Sequence, residues 1–99
     1  MGALVNELER DEEQVYFLRG LPISTRDLRR TLRDADVATR AHWTAHVLRE
    51  ARYEDVWKFV DPGDVRADYP HIRRHLGRAR PFWDFLIGRW QSEGLSTDL

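Results

Sequence analysis

The 99-residue sequence predicts an all-α protein, a compact single-domain bundle of about five to six short helices. Three observations predict this fold. Apolar residues recur at helical spacing in nearly every segment. Residues that start and stop helices divide the chain into short pieces, and no segment shows the alternating pattern of a strand. Because the predicted connections are short, we expect the helices to pack mostly antiparallel.

Residues 1–20 form the first predicted unit, an acidic N-terminal helix that we treat as semi-independent of the bundle. Its apolar residues follow a helical stripe over residues 3–19, and Gly20 is the expected stop. The run Val-Tyr-Phe-Leu at residues 15–18 leaves an alternative open, a short extended piece.

The next two helices are predicted over residues 25–33 and 37–52. Ser24 is a suitable N-cap for the first of them, and Asp27 three residues later completes a variant of the capping box. The Asp-Ala-Asp sequence at residues 34–36 ends this helix and starts the next one.

A short helix or turn is predicted over residues 54–60. Asp61 followed by Pro62 is typical of a new helix start, with an acidic N-cap and proline in the first turn. Pro70 disfavours helical geometry in the residue before it, so we expect a further helix to begin near residue 70 and to end at Gly77.

The last predicted helix begins at Pro81 and ends at Gly94, and residues 95–99 are expected to be a loose tail. Its large apolar residues lie on two faces. Positions 83, 86, 87 and 90 form one face, and positions 82 and 85 lie on another together with Arg89. A small core cannot easily bury both, so an exposed surface of aromatic and arginine residues is expected, a composition typical of protein interfaces. Burial of both faces by the other helices is the alternative.

The composition excludes several classes of protein. With no cysteine, the chain can form neither disulfides nor thiolate metal sites, and it has no cysteine nucleophile. The N-terminal sequence MGALVNELERDEEQ has acidic residues where a signal peptide needs positive charge and an apolar run. No stretch approaches the roughly 18 apolar residues of a membrane span. We therefore expect a cytoplasmic protein that does not contact membranes.

Charge is unevenly distributed along the chain. Residues 1–13 carry five acidic side chains against one arginine, a net charge of −4, and the remaining residues carry +3. Arginine supplies almost all of the positive charge and favours bidentate contacts and stacking on aromatic rings. The candidate partner-binding residues are N-terminal acidic residues and the arginines and aromatic residues near the start of the last helix. They are Glu9, Asp11, Glu12, Glu13, Arg73, Arg74, Arg78, Arg80, Phe82, Trp83 and Trp90.

The four histidines form two pairs with helical i,i+4 spacing, and each pair places both rings on one helix face. The pairs are His42 with His46 and His71 with His75. Neither is followed by the glutamate of an HExxH metalloprotease motif. We expect packing or capping roles, no metal and no cofactor. A four-histidine metal site is kept as a minor alternative.

No feature indicates an enzyme. Asp61, Asp64 and Asp68 lack the glycine and terminal glutamate of a calcium loop, and helix capping accounts for the first two. No nucleophile elbow or glycine-rich phosphate loop occurs.

Two stretches, LREARYEDVWKFV and DVRADYPHIRRHLGRARPFWDFLIGRW, carry a resemblance to a known group. The chain from residue 24 to residue 90 resembles small bacterial antitoxin-like proteins encoded beside abortive-infection-type nucleotidyltransferase toxins. The shared pattern is LGR-x-R-x-F-W after a proline-led helix, and it carries no catalytic motif. The first twenty residues lie outside it.

The resemblance implies a protein partner, a nucleotidyltransferase toxin, that is inhibited by direct contact. In one version the N-terminal acidic residues mimic phosphate toward a basic toxin surface, and in the other the arginine and aromatic face docks. The alternative function is a nucleic-acid-binding regulator that uses the arginine-rich helices.

Overall fold

The computed structural model describes residues 14–92, and within this range it confirms the all-α class, with no strand. Five α-helices follow one another, and 3-10 turns lie at Tyr16–Leu18, Arg73–His75 and Gly77–Ala79. The helices are α1 Thr25–Asp34, α2 Val37–Glu50, α3 Tyr53–Val56, α4 Pro62–Ile72 and α5 Arg80–Ser92. None of the helices in this range is long and apolar enough to cross a bilayer.

The start of α1 is the predicted capping box. The backbone N–H of Asp27 donates to the Ser24 hydroxyl at 3.1 Å, and the Asp27 carboxylate accepts from the Ser24 backbone N–H at 3.5 Å. Two of the N–H groups that a helix leaves unpaired at its start are therefore satisfied locally.

The start of α4 also agrees with the sequence prediction. The Asp61 carboxylate accepts hydrogen bonds from the backbone N–H groups of Gly63 and Asp64, at 2.9 and 3.3 Å. Pro62 occupies the first helical position, where its missing N–H removes no helical hydrogen bond.

The helix expected to begin near residue 70 does not exist, because α4 continues through Pro70 to its end at Ile72. Proline removes one backbone donor and disfavours the helical conformation of the preceding residue. Val65, Tyr69 and Ile72 share one buried face of α4, and burying each side chain contributes about 1.5–3 kcal/mol. The shared buried face thus outweighs the local cost of proline.

The predicted N-terminal helix is wrong where the structure describes it. Val15 is extended, with φ −61° and ψ 158°, and only a 3-10 turn follows before Gly20, which has a φ of +86°. The Val15 backbone N–H donates to the Thr25 hydroxyl at 2.9 Å, and the Gln14 side chain donates to the Ile23 carbonyl at 2.8 Å. These bonds hold Gln14 and Val15 against the start of α1. The alternative of an extended piece over residues 15–18 is wrong beyond Val15, because Tyr16–Leu18 is a 3-10 turn.

Helix α2 is the centre of the bundle, because α1, α3, α4 and the turns before α5 all pack against it. Its buried face includes Ala41, Ala45 and Leu48. The indole N–H of Trp83 donates to the Leu48 carbonyl at 3.1 Å, which ties α5 to the C-terminal end of α2. The core is continuous from Val15 to Trp90, and the described residues belong to one domain.

Candidate partner-binding surface

The two faces of α5 lie in opposite environments. Trp83 and Trp90 are 2% and 3% exposed, whereas Phe82 and Phe85 are 51% and 62% exposed. Trp83 and Trp90 pack against Trp57, with ring centroids 5.9 and 5.7 Å away. The prediction that these two tryptophans contact a partner is therefore wrong, because they face the core of the bundle.

The exposed rings form one surface, which we call the aromatic face and define as Tyr53, Phe82 and Phe85. Tyr53 of α3 lies edge-on to Phe82, with ring centroids 6.1 Å apart, and it stacks on the buried Trp83 at 6.0 Å. Phe85 lies nearly one turn after Phe82, and the Arg89 guanidinium lies 5.9 Å from its ring centroid. The aromatic face therefore rests on the core but presents its rings to solvent.

Sequence reasoning found the face at positions 82, 85 and 89 but did not select Phe85 as a site residue, and it missed Tyr53. The helical spacing of Phe82 and Phe85 was a sufficient signal for Phe85. No local signal marks Tyr53, because its position depends on how α3 packs against α5.

Asp84 joins two of the predicted partner-binding arginines to the fold. Arg73 donates to the Asp84 carboxylate through Nη2 at 3.0 Å and through Nε at 3.3 Å, and Arg80 Nε lies 3.6 Å from it. The Tyr69 hydroxyl donates to the same carboxylate at 2.7 Å. We call these four residues the Asp84 cluster, and their mutual contacts place Arg73 and Arg80 in structural roles as well.

The electrostatics of the Asp84 cluster agree with its geometry. The hydrogen bonds from Arg73 and then Tyr69 hold the pKa of Asp84 below its ordinary value. Burial, followed by the hydrogen bond to Asp84, raises the pKa of Tyr69. At neutral pH the tyrosine is therefore a hydroxyl donor and the aspartate a charged acceptor.

Three of the four predicted arginines, Arg74, Arg78 and Arg80, are exposed, but Arg74 and Arg78 differ from Arg80 in their contacts. Both are exposed, and neither forms an ion pair with a carboxylate of residues 14–92. They lie in the two 3-10 turns immediately before α5. Two accessible guanidinium groups are thus close in sequence to the aromatic face.

The histidines form a contact that the sequence did not resolve. The rings of His42 and His75, one from each predicted pair, have centroids 5.7 Å apart. His46 has a different partner, since its Nε2 lies 2.7 Å from the Phe17 carbonyl, and His71 is exposed. Arg49 Nη1 donates to the His75 carbonyl at 2.7 Å, so a cation lies beside these rings.

A metal at the histidines has little support from this geometry. Within residues 14–92 no three histidine, aspartate or glutamate side chains lie close enough to share a metal ion. The four rings of the alternative metal site do not lie together, because His42 contacts His75, whereas His46 contacts the Phe17 carbonyl. Loss of hydration and the neighbouring His75, Arg49 and His46 lower the pKa of His42, which keeps its ring neutral at pH 7.

The acidic candidate residues lie outside the described residues. These are Glu9, Asp11, Glu12 and Glu13. The aromatic face, with Arg74, Arg78 and Arg89 close to it in sequence, is thus the candidate surface that the structure describes.

Comparison with known proteins adds no family to these observations: no family model matches the chain, and neither a curated protein nor a solved structure is significantly similar to it.

Proposed function

We propose that this chain is a helical protein-binding module, and more specifically an antitoxin-like partner that inhibits a nucleotidyltransferase toxin by direct contact. The observation that carries the proposal is the exposure of Phe82 and Phe85 on a helix whose other aromatic residues are buried. The resemblance of residues 24–90 to antitoxin-like proteins supplies the choice of partner.

The chemistry of the aromatic face fits a protein partner. Aromatic side chains and arginine dominate the energetics of protein interfaces because they bury a large area and form directed contacts. Phe82, Phe85 and Arg89 follow one another at i, i+3 and i+7, the spacing with which a helix inserts side chains into a groove of its partner. Contact through this face requires no catalysis by the chain itself, so we propose no catalytic role. We also propose that the complex forms in the cytoplasm.

The test is affinity purification of the tagged protein from its native host, with nuclease treatment and identification of what is retained. We expect a nucleotidyltransferase in near-stoichiometric amount that survives nuclease. The variant Phe82→Ser/Phe85→Ser should lose it. Val37→Ser is the matched control, since it removes an exposed apolar side chain at the start of α2. Retention of the same partner by both variants would place the contact elsewhere.

A second experiment separates the two versions of docking. Under the phosphate-mimicry version, neutralising Glu9, Asp11, Glu12 and Glu13 weakens the complex. Under the aromatic version, that variant binds normally and Phe85→Ser does not. Titration of both variants against the purified partner distinguishes the two versions directly.

A nucleic-acid-binding regulator is the second candidate, and one observation favours it. Residues 14–92 contain 15 basic and 10 acidic side chains, a net charge of +5. Arg74 and Arg78 are accessible for phosphate contacts, and exposed aromatic rings can stack on bases. If this function is correct, the affinity for nucleic acid falls steeply with salt, and Arg74→Glu/Arg78→Glu abolishes it.

A further inference from the structure

A cleft lies on another side of α2, away from the aromatic face. Both α1 and α4 pack against α2, and the space between them has a volume of about 540 Å³. Leu32, Val60 and Val65 give it an apolar lining. Pockets of this size accommodate small organic molecules.

The two sides of the cleft carry opposite charges. Arg29 and Arg33 of α1 contribute cationic groups, although Arg33 Nε also lies 3.2 Å from the carboxylate of the adjacent Asp34. Asp61 and Asp64 at the start of α4 contribute carboxylates. The Arg29 guanidinium lies 4.4 Å from the ring centroid of Phe59, which also lines the cleft, so this cation is positioned by stacking. The cleft is thus dipolar, with one cationic and one anionic side.

The base of the cleft is held by an ion pair between α2 and α4. Arg40 Nε donates to the Asp68 carboxylate at 2.9 Å, and Arg40 Nη1 donates to the Ala35 carbonyl at 3.1 Å. Both side chains of the ion pair are less than one-third exposed. Because this contact joins the helices on which the cleft rests, the cleft is formed before any ligand enters.

The charges restrict the kind of ligand. Three arginines and three aspartates line the cleft, so its formal net charge is zero. A ligand that carries only negative charge is attracted by the arginines but repelled by the carboxylates. A ligand that carries only positive charge is attracted by the carboxylates but repelled by the arginines. A molecule with both charges and an apolar body satisfies both sides and the lining together.

We propose that the cleft between α1 and α4 binds a small zwitterion with an apolar side chain, the chemical class of the hydrophobic α-amino acids. The ligand carboxylate lies toward Arg29 and Arg33, and its ammonium group lies toward Asp61 and Asp64. The site shares no residue with the aromatic face, so it stands or falls independently of the proposed function.

Titration of the full chain with leucine tests the site, with backbone and methyl NMR shifts as the readout. We expect saturable shifts at Leu32, Val60 and Val65, with a Kd on the order of 1 mM or tighter. N-acetyl-leucine lacks the cation and leucinamide lacks the anion, and each should bind about tenfold more weakly. The absence of saturable shifts, or equal binding of either analogue, would overturn the proposal.

Single charge-removing substitutions on the surface test the two sides of the cleft, because they do not disturb the core. Arg33→Gln and Asp64→Asn should each weaken leucine binding about tenfold. Arg26→Gln and Glu54→Gln make the same changes of charge at exposed positions outside the cleft, and they should leave binding unchanged. Equal effects of the cleft variants and the control variants would contradict a specific site.

Discussion

Phe82 and Trp83 are adjacent aromatic residues at the start of α5, yet the first is half exposed and the second is buried. Their residue types do not explain this difference, since both are large and apolar. Successive residues of a helix are rotated by about 100°, so Trp83 points toward the core and Phe82 points away from it. The comparison shows that angular position, rather than hydrophobicity, decides whether an aromatic residue of α5 stabilises the fold or remains available for contact.

The largest expected effect concerns stability on the buried side. Trp83→Ala removes the packing against Trp57 and the hydrogen bond to the Leu48 carbonyl, and it should lower the free energy of unfolding by about 3–5 kcal/mol. Phe85→Ala, on the exposed side, should change it by about 0.5 kcal/mol or less. Urea denaturation of both variants measures the difference, and equal losses would break the comparison.

Asp84 lies between the buried and the exposed face of α5. Its substitution measures how much the Asp84 cluster contributes to the free energy of unfolding. Asp84→Ala leaves the Tyr69 hydroxyl without its acceptor and Arg73 without its carboxylate. The free energy of unfolding should therefore fall by more than it does when an exposed carboxylate without these partners is removed. Glu54→Ala is the control, because Glu54 is exposed and its substitution removes the same negative charge. A loss no larger than that of the control would mean that the Asp84 cluster contributes little to stability.

The capping box at the start of α1 provides a local reference for these effects. Ser24→Ala removes the acceptor for the Asp27 backbone N–H and should cost about 1 kcal/mol. Thermal or urea unfolding measures this loss, which we expect to lie between those of Trp83→Ala and Phe85→Ala. Ser24→Gly should cost less, and the reverse order of the two variants would argue against a capping role.

The smallest expected effect is a dependence on pH at the contact between α2 and the turn at His75. The pKa of His42 is lowered from its ordinary 6.5, so below pH 6.5 the unfolded chain takes up a proton more readily than the folded chain. The free energy of unfolding therefore falls as the pH drops below about 6.5, and the loss levels off once the pH is below the pKa of the folded state.

His42→Gln should reduce this dependence. Urea denaturation of both proteins between about pH 7 and pH 5 tests the expectation. His71→Gln is the control, since His71 is exposed and lies outside the ring contact. An unchanged slope in the His42 variant would show that another group is responsible.

Features set by local chemistry could be predicted from the sequence. The capping box at Ser24 and the restart at Asp61 depend on neighbours within three residues, and the structure has both. Gly20 and Gly77 both have the positive φ that glycine adopts without strain. Neither ends an α-helix as predicted, because Gly20 follows the 3-10 turn Tyr16–Leu18 and Gly77 begins the 3-10 turn Gly77–Ala79.

Features set by tertiary contacts could not be predicted in this way. Helix α4 continues through Pro70 because three other side chains of the helix share one buried face. Val15 is extended because its backbone N–H donates to the Thr25 hydroxyl. For the candidate site, helical spacing separated Phe82 from Trp83 but could not say which face the bundle covers. The pairing of Arg73 and Arg80 with Asp84 likewise required the three-dimensional arrangement.

The Asp84 cluster has a kinetic consequence for partner binding. One carboxylate is shared by two guanidinium groups, so Arg73, Arg80 and Asp84 together still carry a net positive charge. Arg74 and Arg78, which lie close in sequence, add to the field at this end of the molecule. Such a field accelerates the encounter with an acidic surface and is screened by salt. Raising the ionic strength should therefore slow association with an acidic partner much more than it speeds dissociation.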